Sequence, residues 1–352
     1  MITLRRAMIA GLETDTPAVQ PVRDALQLAI ELEHATIPVY LYTMYSLDPA
    51  KNAEIVQLID SVVVEEMLHM VLSANVLNAL GGSPEIDKPS FVPHYPGHLP
   101  GSVESGLTVH LRPFSMEHLD ELIAIEQPED PLVFRALAVA DEEDQVTIGE
   151  FYAKIREAIV KLGDGAFDSS GRNQVPPALM YGSVVVTDVA TATAAIDTIV
   201  LQGEGTTTSP LAAAGGEMAH YYRFEEIKHG HLLVALPDPQ TPDQAYSYTG
   251  AAVPFDGTGV YPVPSDPHAH GFPTGYLPGS PEAQMNDRFN STYTGLLGTI
   301  HALVNGDATT EWFNAALGIM MSLKSQAMGM AAGLARPGLH VGPTFQYQPY
   351  CP

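Results

Sequence analysis

Two short stretches hold the residues best equipped for chemistry. Residues 65–70 read EEMLHM and residues 225–230 read EEIKHG, so the template Glu-Glu-x-x-His occurs twice. On a helix, side chains three positions apart lie about 60° apart around the axis and about 4.5 Å apart along it. Glu66 and His69 then share a face and can reach one ion, and Glu226 and His229 repeat the arrangement. Carboxylate and imidazole donors suit iron or manganese, and the lack of thiolates argues against a zinc or copper preference. The single cysteine, Cys351, excludes an intramolecular disulfide and any cysteine-based metal site.

The neighbours of the first copy sharpen the case. Val62, Val63, Val64, Met67, Leu68, Val71 and Leu72 leave little polar face for Glu65, Glu66 and His69. Burying unpaired carboxylates is strongly unfavourable. The chain has 16 Lys and Arg residues, and none falls between Lys51 and Lys88, so a bound cation is the simplest compensation.

Glu33 in LEHATIP and Glu150 in TIGEFY complete a set. The order Glu, Glu-x-x-His, Glu, Glu-x-x-His on four helices is the ligand pattern of ferritin-like di-iron and di-manganese bundles. The predicted ligands are Glu33, Glu66, His69, Glu150, Glu226 and His229, holding two iron ions or manganese in their place. Glu142, Glu143 and Glu204 are alternatives to Glu150, and Glu31 is a weaker rival to Glu33. Glu65 and Glu225 read as outer carboxylates or alternative ligands, and His34 and His220 as ordinary hydrogen-bonded histidines.

These residues need long helices to carry them. Helical periodicity runs over 20–46, interrupted by Pro38, and over 52–80, which stops at Gly81-Gly82. A short connecting loop makes the two antiparallel. Residues 81–143 read as a long crossover with a strand-like GLTVHLRPFS and a short helix, MEHLDELIAIEQPED. Further helices are expected over 145–162, 189–202, 210–235, 282–305 and 309–333, with a strand at GSVVVTD. The fold class is therefore mainly α, a four-helix bundle with long crossovers, extra C-terminal helices and a few short strands. Residues 1–236 form the bundle, 237–281 a Pro/Gly/aromatic-rich insertion or lid, and 282–352 helices packing on the bundle.

Several motifs in order, LEHATIPVYLYTMYSL, EEMLHMVLSANVLNALGG, TIGEFY, IVLQGEG, HYYRFEEI and GPTFQY, resemble the ferritin-like proteins named after iminophenyl-pyruvate dimer synthases, the VioB/RebD type. The resemblance spans nearly the whole chain. It implies a ferritin-like core with metal at the six residues above, and O2-dependent oxidation of a small amino-acid-derived substrate. Larger relatives couple two imines, and this chain lacks their long additional portion.

An O2-dependent oxidase or oxygenase is thus the leading expectation, with O2 as co-substrate. Ferritin-like iron storage or detoxification, and a metal-stabilised structural protein, are the alternatives. Arg223 and Arg156 are candidates to pair with a substrate carboxylate, and Tyr40 and Tyr221, with Tyr42 and Tyr152, to line its pocket. A net charge of −25 without a basic cluster excludes nucleic acid and anionic membrane as partners, leaving a small molecule. Homo-oligomer formation stays open. The N-terminal residues lack the apolar stretch of a signal peptide, so a cytoplasmic protein is expected.

Overall fold

A computed structural model describes residues 2–102, 106–128, 145–206, 209–212, 217–237, 245–268, 275–306, 308–334 and 336–348. Strand β1 (Thr3–Arg5) precedes two 27-residue helices, α1 (Val19–Tyr45) and α2 (Ala53–Ala79). The crossover holds β2 (Gly97–His98), β3 (Thr108–Val109) and α3 (Met116–Glu126). Strand β4 (Gln145–Thr147) leads into α4 (Ile148–Leu162), followed by α5 (Val189–Glu204) and α6 (His220–His229). Strands β5 (Val234–Ala235) and β6 (Tyr246–Ser247) come next, then α7 (Pro281–Val304) and α8 (Thr310–Ala331). Each strand pair is antiparallel, β1 with β4, β2 with β3 and β5 with β6.

Helix α1 runs through Pro38, whose ring removes one donor and crowds the preceding turn. Neighbouring carbonyls in that turn also take side-chain donors. The Thr36 hydroxyl donates to Glu33 O at 2.9 Å, and the Tyr95 hydroxyl to Ala35 O at 2.6 Å. Helix α2 ends where Gly81 adopts φ +75°, letting Gly82 N–H reach back to Leu77 O at 2.9 Å. Helix α4 is capped by Thr147, which accepts from Glu150 N–H at 3.0 Å, and α5 by a reciprocal pair, Asp188 and Thr191.

The bundle is closed by α1 on α2, α2 on α5, α5 on α4 and α4 on α1, and its interior is continuous with the main apolar core. The fourth bundle helix is therefore α5, where the sequence suggested the 210–235 segment. Among its described residues that segment holds strand β5 and the ten-residue α6, which packs against α2, α3 and α5. Helices α7 and α8 pair with each other and lie against α2 and α1.

Two other local expectations change. Residues 145–147 are strand, because they pair with β1 before α4 begins. The GSVVVTD stretch forms no strand. Side-chain amides take its backbone groups: Gln174 donates to Val186 O at 2.7 Å and accepts from Val186 N at 2.6 Å, and Asn75 donates to Val184 O. Described residues of the 237–281 segment fasten onto the turn between α1 and α2. Tyr261 N donates to Ser46 O at 2.7 Å, and Asp256 N to Asn52 Oδ1 at 2.8 Å. No helix among the described residues is long and apolar enough to cross a membrane.

Candidate metal centre

Inside the bundle, α1 contributes Glu33, α2 contributes Glu66 and His69, α3 ends on Glu126, and α6 begins on His220. Glu66, His69 and His220 are 3%, 2% and 0% exposed, and one ligand atom from each lies within 4.8 Å of the others. Glu33 Oε2 is 3.3 Å from His69 Nδ1. Glu66 Oε1 and Glu126 Oε2 stand 2.9 and 3.6 Å from His220 Nδ1. Glu66 is thus within hydrogen-bond distance of that nitrogen, off the line of its ring N–H direction, and Glu126 lies just beyond.

An outer layer holds these groups in place. The Tyr152 hydroxyl, on α4, donates to Glu33 Oε1, and the Tyr40 hydroxyl donates to Glu126 Oε1. His69 Nε2 meets Gln202 Oε1 on α5 at 3.0 Å, and His220 Nε2 meets Glu65 Oε2 at 2.9 Å. Arg223 grips Glu65 at 2.9 and 3.0 Å and also donates to Ser61 Oγ and Met218 O.

Without a cation, protons must balance this charge. Burial, together with the charges of Glu126 and Glu33, pushes Glu66 well above the usual carboxylate range. Burial works against charge on His220 too, but Glu126, Glu65 and Glu66 outweigh it and raise that imidazole well above its ordinary value. Burial also acts to raise Glu33, yet bonds from His69, Glu66 and Tyr152 and the His69 charge hold it down, to about 2. Burial and the nearby carboxylates keep the Tyr40 and Tyr152 phenols protonated, so both remain donors.

The cavity beside these groups measures about 70 Å³. That is less than half of the ~150 Å³ that holds a benzene ring, so it suits waters or O2 rather than an aromatic molecule. Ile2, Leu99, Ile125, Ile148, Ile199 and Val200 wall it, and no Lys or Arg is among its described lining residues. None of the described residues of the 237–281 segment lines it either.

Of the six ligands expected from sequence, the fold brings Glu33, Glu66 and His69 together and leaves three elsewhere. Glu150 sits half-buried in the first turn of α4, 3.6 Å from Arg6. Glu226 is buried but turned to its own chain, accepting from Leu233 N–H at 2.9 Å. His229 is exposed, stacked on Tyr248 at 4.2 Å with Glu225 3.4 Å away. Glu65 Oε2 lies 2.9 Å from His220 Nε2 and pairs with Arg223. Glu204 ends α5, and its side chain lies outside the described residues, as do Glu142 and Glu143.

The substrate-binding candidates are also placed differently. Arg223 is consumed by Glu65, Ser61 and Met218, and Arg156 pairs at the surface with Asp197 at 2.7 Å. Tyr221 packs edge-on against Tyr222 in a small separate cluster, while Tyr40 and Tyr152 touch the acidic groups of the site. Tyr42 donates to Pro264 O instead.

Sequence reasoning missed Glu126, Gln202 and the inner role of His220. Glu126 continues the buried Leu119, Leu122 stripe of α3 at helical spacing, which is a readable signal for an inward carboxylate. His220 opens an aromatic-rich run, YYRF, but nothing in its spacing points to Glu66.

No curated protein matches the chain. The crystal structure of a ferritin-like protein from Caulobacter vibrioides at 1.95 Å resolution is similar, with a TM-score of 0.61 over 95% of this chain and 99% of that one. At 23% identity the likeness is one of fold. Residues 26–229, which carry every inner residue of the site, match the family model described as Ferritin-like. With more than half of its length matched, the chain belongs to the ferritin-like family.

Proposed function

We propose that the protein is a non-haem metal-carboxylate oxidase or oxygenase, with iron, or manganese in its place, held by Glu33, Glu66, Glu126, His69 and His220. The observation carrying this reading is a close set of three carboxylates and two imidazoles, all but Glu126 buried, in which Glu66 Oε1 lies 2.9 Å from His220 Nδ1. Donor atoms packed this closely fit ligation of a common ion once their protons are displaced. The donor types suit iron or manganese. Such ions, when bound, supply electrons for the reduction of O2.

The chain's own residues do the remaining work. Glu66 faces both halves of the site, close to Glu33 and to His220, and would be within reach of metal in either half. Tyr152 and Tyr40 orient Glu33 and Glu126 by donating a hydrogen bond to one oxygen of each, which would leave the other oxygen for metal. Apolar walls exclude bulk water, and the small cavity admits O2. The sequence resemblance points to a small amino-acid-derived substrate. No Lys or Arg is among the described lining residues, and the cavity of about 70 Å³ takes O2 and not that substrate.

Anaerobic titration of the metal-free protein with ferrous ion tests the reading. Saturation near two ions per chain, followed by O2 uptake without further iron loading, is the expected result. Continued uptake of many ions after O2 would indicate storage, and no binding would overturn the proposal.

A further inference from the structure

The His69 and His220 rings stack, with centroids 5.3 Å apart and planes inclined by 22°. Each is held from outside through Nε2, His69 by Gln202 Oε1 at 3.0 Å and His220 by Glu65 Oε2 at 2.9 Å. Their Nδ1 atoms turn the other way, toward Glu33 Oε2 at 3.3 Å and Glu66 Oε1 at 2.9 Å. In the metal-free protein His69 Nδ1 bonds Glu33; once an ion displaces that proton, an oxygen acceptor that keeps the proton on Nε2 leaves the lone pair of the neutral ring on Nδ1. Gln202 is absent from the cavity lining, consistent with a place behind the ring.

The two outer partners differ in charge. Glu65 is a carboxylate fixed by Arg223, and Gln202 is a neutral amide. A carboxylate behind an imidazole makes it a more basic ligand, and an amide does so less. Resting on the metal-centre reading above, we infer that Gln202 and Glu65 are positioning residues that present Nδ1 of both histidines to the metal, and that their unequal charge makes the His220 half bind a divalent ion more tightly than the His69 half.

Cobalt(II) titration of the metal-free, full-length chain, read by visible absorption and by chelator competition, tests this. Two unequal steps are expected. Gln202→Glu should strengthen the weaker step and Glu65→Gln weaken the stronger, each by roughly tenfold, so that both variants narrow the gap. Gln202→Leu should weaken the weaker step by roughly 10–100-fold while the melting temperature of the metal-free protein stays put. A gain in Gln202→Glu separates positioning from general loss of structure.

In zinc-loaded protein carrying nitrogen-15 histidine, both rings should show metal on Nδ1 and a proton on Nε2. Ligation through Nε2, a single step or two equal steps in the wild type, or a weaker step indifferent to both Gln202 variants would overturn the inference while leaving the metal centre standing. Absence of any cobalt uptake by the wild type would remove the metal-centre reading itself, and the inference with it.

Discussion

His220 Nδ1 lies 2.9 Å from Glu66 Oε1, joining the first residue of α6 to the middle of α2. The contact ties the short helix into the bundle interior and makes His220 part of the site. It also sets apart the two histidines of the α6 segment, because His229 stacks on Tyr248 at the surface.

Removing an inner donor should therefore matter far more than breaking the second Glu-Glu-x-x-His template. Glu66→Ala and His220→Ala are expected to weaken metal binding by more than the roughly 10–100-fold typical of losing an outer partner. His229→Ala should leave metal content unchanged. Elemental analysis after reconstitution and desalting distinguishes the two classes, and metal loss in His229→Ala would contradict the placement.

Metal uptake should release protons. In the metal-free protein the surroundings of Glu66 and His220 favour their protonated forms, and an ion must displace those protons to reach the donors. Affinity should accordingly rise with pH and fall on acidification. Calorimetry in buffers of different ionisation enthalpy at pH 7 is expected to report at least about one proton released per binding event. Uptake with no proton release would contradict the charge balance argued here.

Glu226 offers a separate stability test. Burial pushes its carboxyl up to about 7, so between the unfolded value, near 4.5, and about 7 the native state holds the extra proton. Stability from this group is present at low pH and is lost as pH rises through about 7. Glu226→Gln keeps an acceptor for Leu233 N–H and cannot ionise. It should melt higher than the wild type at pH 8, and the difference should shrink toward pH 5. Parallel melting curves across that range would show that Glu226 does not titrate as argued.

The two arginines proposed from sequence to bind substrate should separate by stability. Arg223→Met leaves Glu65 and His220 without their clamp, and breaking a buried ion pair costs about 3 kcal/mol or more. Arg156→Ala removes an exposed pair with Asp197 and should change stability by less than about 1 kcal/mol. Urea titrations measure both. Equal effects would mean that the Arg223 network carries no structural load.

Most of the helices were legible in the sequence, and so were three members of the candidate site. Apolar periodicity marked α1, α2, α4, α5, α7 and α8 nearly to their ends, because a helix's inward face repeats at local spacing. For the same reason Glu66 and His69, one turn apart on an apolar helix without nearby cations, could be read as partners, and Glu33 as the acidic residue of the helix packed beside them.

Spacing fixes which residues share a face but says nothing of where that face points. Glu226 and His229 repeat the interval of Glu66 and His69, yet α6 lies outside the four-helix ring, with Glu226 turned to Leu233 and His229 to solvent. The missing donors came from helix ends: Glu126 closes α3 and His220 opens α6, both delivered by the path of the connecting segments. Local sequence thus determined the helices and one Glu-x-x-His pair. Only the tertiary structure, through the packing of α3 and α6 against the bundle, decided which distant carboxylate and imidazole would meet it, since burial of their apolar neighbours sets where those helix ends lie.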